Sequence, residues 1–285
     1  MAFPEPRAEV GQRSVLRAAF VLSGGKTEIR DKYHTAPVKI AKAFQIRRQL
    51  AAIVMDVSPG MLEGDRYEME WTAGEGTHVM ITNQSFMKVH PCGDGGSASL
   101  SQTFRLGAGA IVEHMPEPVM LYKDAAFRSE TTVRLRPGSV WMQADVLCPG
   151  RGLRGERFRY REYDNRLSVY AEDELIFAQR QRISPEYHRL HAVGSWEGMT
   201  HWAYFFVFSD RVDPALIERL QEVIEAHAAP EGHPVAAAAS TTYKHGAAVS
   251  ACSTAAWPLQ ALMRELWDAA RDQLLGLPPL RLLQG

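Results

Sequence analysis

Acidic residues that adjoin glycines are the most chemically suggestive feature of this chain. Glu63-Gly64-Asp65 follows Pro59-Gly60, Asp145 precedes Cys148-Pro149-Gly150-Arg151, and Gly155-Glu156 comes shortly after. At strand ends a glycine lets backbones approach closely, and a carboxylate beside it can fix a turn. Histidine offers a second chemistry. His90, Cys92 and Asp94 cluster around Pro91, while His188 and His191 are spaced i, i+3 after Pro185. Imidazole, thiolate and carboxylate together suit borderline ions such as Ni²⁺ or Zn²⁺. Neither group completes a known ligand constellation, and the chain lacks both H-E-x-x-H and G-x-S-x-G. A metal-dependent hydrolase using His90, His114, His188 or His191 with nearby acids is the enzymatic alternative. Ser23-Gly24-Gly25-Lys26-Thr27 ends like a phosphate-binding loop, but Phe20 stands where that motif needs its first glycine. It reads as a turn between strands.

Short apolar runs broken by turn residues must position these groups. Val133 and Leu135 alternate with Arg134 and Arg136, Pro137-Gly138 turns the chain, and Val140, Met142, Ala144 and Val146 line one face of the next strand. Val79–Ile81, Ala110–Val112, Leu167–Val169 and Leu175–Phe177 repeat the pattern, with a turn at Asp173-Glu174. The expectation is a mainly β fold: one large domain over residues 1–285, antiparallel or mixed, β-rich over 13–210 and without internal repeats. Two helices close it. Asp213 and Pro214 start one over about 213–229, with Leu216, Ile217, Leu220, Val223 and Ile224 as its stripe. The other spans about 254–275, carries Leu259, Leu262, Met263, Leu266 and Trp267, and stops at Gly276. Val235–Ser250 between them is Ala-rich, with a strand near its end.

Composition narrows the classes. The 285 residues hold 32 Lys and Arg against 33 Asp and Glu, and 46% are hydrophobic. That fraction suits a packed core, and balanced charge gives no basic footprint for nucleic acid. Three scattered cysteines argue against a disulfide framework. Met1–Gly11 lacks the apolar segment of a secretory signal, and no run is long enough to span a membrane. The expectation is a cytoplasmic, soluble protein.

Taken in order, several segments resemble the urease accessory protein family UreD, also called UreH. Gly25-Lys26-Thr27 with Ala36-Pro37-Val38-Lys39-Ile40 and Phe44 is similar to the family's G-[KR]-T, G-P-L-[KR]-V and Phe. Pro59–Asp65 resembles P-G-G-x-x-G-G-D, and Ile81–Lys88 resembles L-L-T…T-K. Val112-Glu113-His114-Met115-Pro116-Glu117 resembles L-E-W-L-P-[QE]. Ala144–Arg151 with Gly155-Glu156 is similar to W-D-x-L-C-x-G-R and the following G-E. Leu266-Trp267 and Leu274-Leu275-Gly276 resemble I-W…L-L-x-G. The departures are Met61 and Glu63 in the glycine pairs, Ser168 for an acid of R-L-E-V-W, and Leu280-Arg281-Leu282-Leu283 for P-R-x-W. They mark a divergent member.

The resemblance implies a non-catalytic scaffold, part of a hetero-oligomer, that binds apo-urease and a UreF-type partner which recruits a UreG-type GTPase. It implies no tightly bound cofactor and transient passage of nickel through an internal route. An ion crossing a protein needs carboxylates to offset lost hydration, yet a closed ligand cage would retain it. The candidates for that route are Asp65, Asp145 and Glu156, with Glu63 as a local substitute and Lys88 as a pairing cation. Trp257, Trp267, Leu274, Leu275 and Leu277 are the candidate partner-binding residues. A paralogue that binds partners without moving nickel is a further alternative, motivated by Ser168.

Overall fold

A computed structural model describes residues 11–281. Its first strands are β1 (Arg13–Ser23), β2 (Lys26–His34), β3 (Val38–Ile46), β4 (Gln49–Asp56), β5 (Arg66–Ala73) and β6 (His78–Asn83). There follow β7 (Met87–Val89), β8 (Ala98–Leu106), β9 (Ile111–His114), β10 (Val119–Leu121), β11 (Ala126–Leu135) and β12 (Val140–Cys148). The last are β13 (Glu162–Ala171), β14 (Glu174–Ile183), β15 (His201–Phe208), β16 (Val235–Thr241) and β17 (Gly246–Ser253). Helix α1 (Pro214–Ala226) precedes β16, and α2 (Ala256–Leu275) follows β17.

The strands form two sheets. One has the order β14-β13-β11-β8-β5-β1-β2, and the other runs β16-β17-β15-β12-β9-β6-β4-β3 with β10 and β7 attached beside β12. The fold is mainly β with two helices in its C-terminal part, as the residue pattern requires. Its centre is parallel: β1, β5, β8, β11 and β13 run together, as do β4, β6, β9 and β12. Antiparallel pairs lie at the margins. The glycine-containing corners between β5 and β6, β8 and β9, and β11 and β12 carry the chain across to the other sheet rather than back alongside. The result is a wide coil of similar turns. Sequence hides this repeat because one rung holds Ala18, Trp71, Phe104, Val133 and Val169, residues of unlike size.

Gly24 and Gly25, both at positive φ, form the tight turn between β1 and β2, so the phosphate-loop resemblance is a hairpin. The Asp213 carboxylate accepts the Leu216 amide at 3.0 Å and caps α1. That helix stops at Ala226, short of the expected 229, because the apolar stripe ends at Ile224 and later turns would bury nothing. The α2 start falls at Ala256, and Gly276 at φ +60° ends the helix as expected. The Ala-rich segment forms two strands rather than one, so β-structure continues beyond residue 210. No helix among the described residues is long and apolar enough to cross a membrane.

Strand β12 shows how the layers are built. Trp141 and Leu147 point between the sheets, while Val140, Met142, Ala144 and Val146 meet α1 and α2 on the outer face. Both faces are buried, so every polar side chain on β12 needs a partner. Gln143 and Asp145 occupy the inward phase.

Candidate functional site

Those two residues belong to a polar band within the apolar interior. On one sheet Gln102, Thr131, Ser129 and Asn165 face inward from β8, β11 and β13. Opposite them stand Asn83 on β6, His114 on β9, and Gln143 and Asp145 on β12. Register places the band across the coil: Gln102 pairs with Thr131, Ser129 with Asn165, and His114 with both Ile81 and Gln143. It surrounds a cavity of about 50 Å³. A second cavity of about 50 Å³ adjoins it, and Val54, Met69, Asn83 and Met87 line both. The second reaches Asp56, Ser58, Gly60 and the exposed Lys88. Each has room for several waters.

Carboxylates line both cavities. Near Lys88, Asp56 accepts the Tyr67 hydroxyl at 3.0 Å and the Ser58 amide at 2.8 Å. Farther along, Gln143 donates through Nε2 to Asp145 at 2.7 Å. Burial pushes the Asp145 carboxyl up to about 6, with the Gln143 bond opposing the rise. Glu117 also lines the band, accepts from Gln260 of α2 at 3.1 Å, and is raised by burial, with Arg264 opposing. Three carboxylates against one lysine make the lining net acidic. Burial pushes His114 down to about 4, so its imidazole is neutral at physiological pH.

Of the residues expected on an ion route, Asp145 lines the first cavity and Lys88 the second. The other three hold loops. Asp65 is buried, and its two oxygens accept the amides of Gln12 at 2.8 Å and Leu62 at 2.7 Å. Glu63 accepts the Gly93 amide at 3.0 Å. Glu156 pairs with Arg151, whose guanidinium holds the carboxyl below the usual range, and also accepts the Lys123 amide at 3.3 Å. None of these three lines either cavity. Asp65→Ala orphans two backbone donors in a tight loop and will cost about 1–3 kcal/mol in urea denaturation. An Asp65→Ala protein as stable as the parent would contradict this role.

Gly60 shapes the second cavity beside Lys88. It sits at φ +135°, and a Cβ there would come within 2.6 Å of the Lys88 carbonyl oxygen. Ser168 lies in the outward phase of β13, alternating with the inward Leu167 and Val169, and lines neither cavity. The substitution therefore removes no charge from either cavity lining. Sequence reasoning missed Asp56, Asn83, Gln102, Gln143 and Asn165 as lining groups. The available signal was Gln143 and Asp145 sharing one phase of an otherwise apolar strand.

The partner-binding candidates divide. Trp257 is 52% exposed and meets His233 edge-on. Leu274 and Leu275 are half-buried against the core beneath the helices, and Leu277 is half-buried beside a cleft that includes Pro278 and Leu280. Trp267 is buried, so it is a core residue and not a docking anchor. Its indole donates to Glu113 at 2.6 Å. Leu280 is buried as well, while Leu282 and Leu283 lie outside the described residues. Glu113, fully buried on the outer face of β9, also binds Arg271 and His78, and Arg271 reaches Gln49 at 3.2 Å. Burial pushes the Glu113 carboxyl up, but His78 and Arg271 outweigh it and hold it below its ordinary value.

The histidines of the hydrolase alternative are dispersed. His188 and His191 are exposed in the loop before β15, His90 contacts the Pro59 carbonyl, and His114 is interior. Among the described residues no three His, Cys, Asp or Glu side chains are grouped to hold a metal.

The fold is a two-sheet body that encloses two adjoining polar cavities and carries two helices on its outer face. The family profile described as UreD urease accessory protein matches residues 12–283. The chain belongs to the UreD family, and is thus an accessory protein rather than an enzyme. It is 35% identical over 218 residues to urease accessory protein UreD of Acetivibrio thermocellus, covering 76% of this chain and 83% of that one. It is 28% identical over 282 residues to the UreD of Haloarcula marismortui, covering 96% and 92%. Similarity to urease accessory protein UreH of Helicobacter pylori is 28% over 179 residues, 62% and 67% of the two chains.

Proposed function

We propose that this protein passes nickel toward apo-urease through the interior passage, docked between urease and a UreF-type partner that brings a UreG-type GTPase. The observation that carries the reading is the pair of adjoining cavities with Asp56, Asp145 and Glu117 along them. Membership of the UreD family supports the urease setting. An ion that leaves bulk water for this interior loses part of its hydration, which amide and carboxylate oxygens along the cavities would replace. Spaced single carboxylates attract a divalent cation without enclosing it, which favours onward transfer. Trp257 is the best-exposed anchor for a partner, with Leu274, Leu275 and Leu277 beside the other end of α2.

The junction between the cavities gives the experiment. Asn83→Phe fills the shared space without altering any carboxylate. Urease matured with this variant will carry much less nickel per active site than urease matured with the parent, while the accessory complex still co-purifies. Full loading by a folded Asn83→Phe protein would refute passage through this junction.

A further inference from the structure

The turn between β3 and β4 carries two adjacent arginines, Arg47 and Arg48, both exposed, with Arg47 at φ +56°. A cleft of about 680 Å³ lies between this turn and the segment that leaves α2. Four guanidiniums line it, those of Arg47, Arg48, Arg271 and Arg281, and no carboxylate among the described residues does. Arg271 is paired with Glu113 and Arg281 with Asp268, which leaves Arg47 and Arg48 without an ion pair among the described residues. Arginine only donates, so the Gln49 side-chain oxygen faces Arg271, and the Gln49 amide nitrogen is left without an acceptor. The cleft is therefore rich in donors and short of acceptors. Its apolar lining comes from Ile46, Leu277, Pro278, Pro279 and Leu280. Both sides are held in place: the Arg48 carbonyl accepts the Thr27 amide at 3.0 Å, and Arg271 Nε donates to the Pro278 carbonyl at 3.2 Å.

The whole chain is nearly neutral, with 32 Lys and Arg against 33 Asp and Glu, so an acid-free cleft with four arginines concentrates positive potential at one place. We propose that this cleft docks a segment of a protein partner that carries carboxylates beside apolar side chains. The guanidiniums of Arg47 and Arg48 are the free ones, and their planar forks match carboxylate oxygens in pairs. Ile46, Leu277 and Pro279 offer an apolar surface for the neighbouring side chains of such a segment. An inorganic anion would use the guanidiniums alone and leave that apolar surface wet. The volume is that of a site able to hold several side chains. The cleft shares no lining residue with either interior cavity, so the inference goes beyond the nickel reading and does not rest on it.

The test uses the full-length protein and a dye-labelled peptide of alternating Asp and Leu, with a peptide of alternating Asn and Leu as its neutral counterpart. Fluorescence anisotropy will show the acidic peptide binding the parent, more weakly as salt is raised, and the neutral peptide binding at least tenfold less well. Arg47→Glu with Arg48→Glu will weaken the acidic peptide about tenfold or more, and Leu277→Ser will weaken it without changing the salt dependence. Arg47→Gln with Arg48→Gln serves as a second pair should charge reversal disturb folding, which the urea midpoint reports. Trp257→Ala, outside the cleft, will bind like the parent. Equal binding of the two peptides, or parent-like binding by either folded double variant, would overturn the proposal. So would binding of inorganic phosphate with no binding of the peptide. Self-association of the parent that the double substitution abolishes, again without peptide binding, would make a second copy the occupant and would equally overturn it.

Discussion

Asp145→Asn will make the protein more stable at neutral pH, and will flatten its stability between about pH 4 and 6. The sign follows from the direction of the displacement. Burial raises the Asp145 carboxyl from its ordinary 3.8 to about 6, so the folded state holds its proton more tightly than the unfolded chain. At low pH both states are protonated and nothing is lost. As pH rises the unfolded chain ionises first, and folding stability declines until the folded carboxyl has also ionised near 6. A displacement of this size corresponds to about 3 kcal/mol once ionisation is complete. Asparagine keeps an oxygen for Gln143 and removes the buried charge. The groups facing this carboxylate are Gln143 with His114 behind it, Tyr163 from the other sheet, and Tyr204 on β15. None supplies a compensating cation. Urea denaturation of parent and variant at pH 4 and pH 7.5 will show the gap opening with pH, and a constant gap would contradict the assignment. A half-buried carboxylate with an amide partner but no counter-charge is kept at a cost in stability.

Glu113→Ala will have the largest destabilising effect, about 3–5 kcal/mol. The carboxylate is fully buried beneath α2 and accepts from Arg271, Trp267 and His78. Arg271 is itself buried, with one further bond to Gln49 and one to the Pro278 carbonyl. Removing the acid strands the guanidinium without a counter-charge, which costs far more than the pair contributes when intact. The double variant Glu113→Leu with Arg271→Met removes both charges and will recover most of the loss. Urea midpoints measure the scale, and hydrogen exchange in α2 locates the damage. A single variant within 1 kcal/mol of the parent would show that the pair does not hold the helix.

These two acids show what sequence can and cannot reveal. The helices were legible because Asp213-Pro214 and Gly276 are local signals, and because Leu216, Leu220, Leu262 and Leu266 recur at helical spacing. Most strands were legible from alternation. The parallel coil was not, since a glycine corner between β8 and β9 reads the same whether the chain reverses beside itself or crosses to another sheet. Asp145 and Asp65 looked equivalent in sequence, each an acid close to glycines. Only three-dimensional placement shows Asp65 saturated by backbone amides and Asp145 facing a cavity. Asn83, Gln102 and Asn165 are unremarkable until two sheets bring them together across one interior. Glu113 escaped notice because a lone acid in Val112-Glu113-His114 becomes buried only when α2, more than 140 residues later, covers β9.

The claim that a cation travels inside this protein is tested most directly at Asp145. Urease matured alongside Asp145→Asn, in cells where this chain is the sole UreD-type protein, is purified and its nickel counted by elemental analysis. The account predicts an intact accessory complex, a variant at least as stable as the parent, and urease largely empty of nickel. Nickel content equal to that of urease matured with the parent would contradict it.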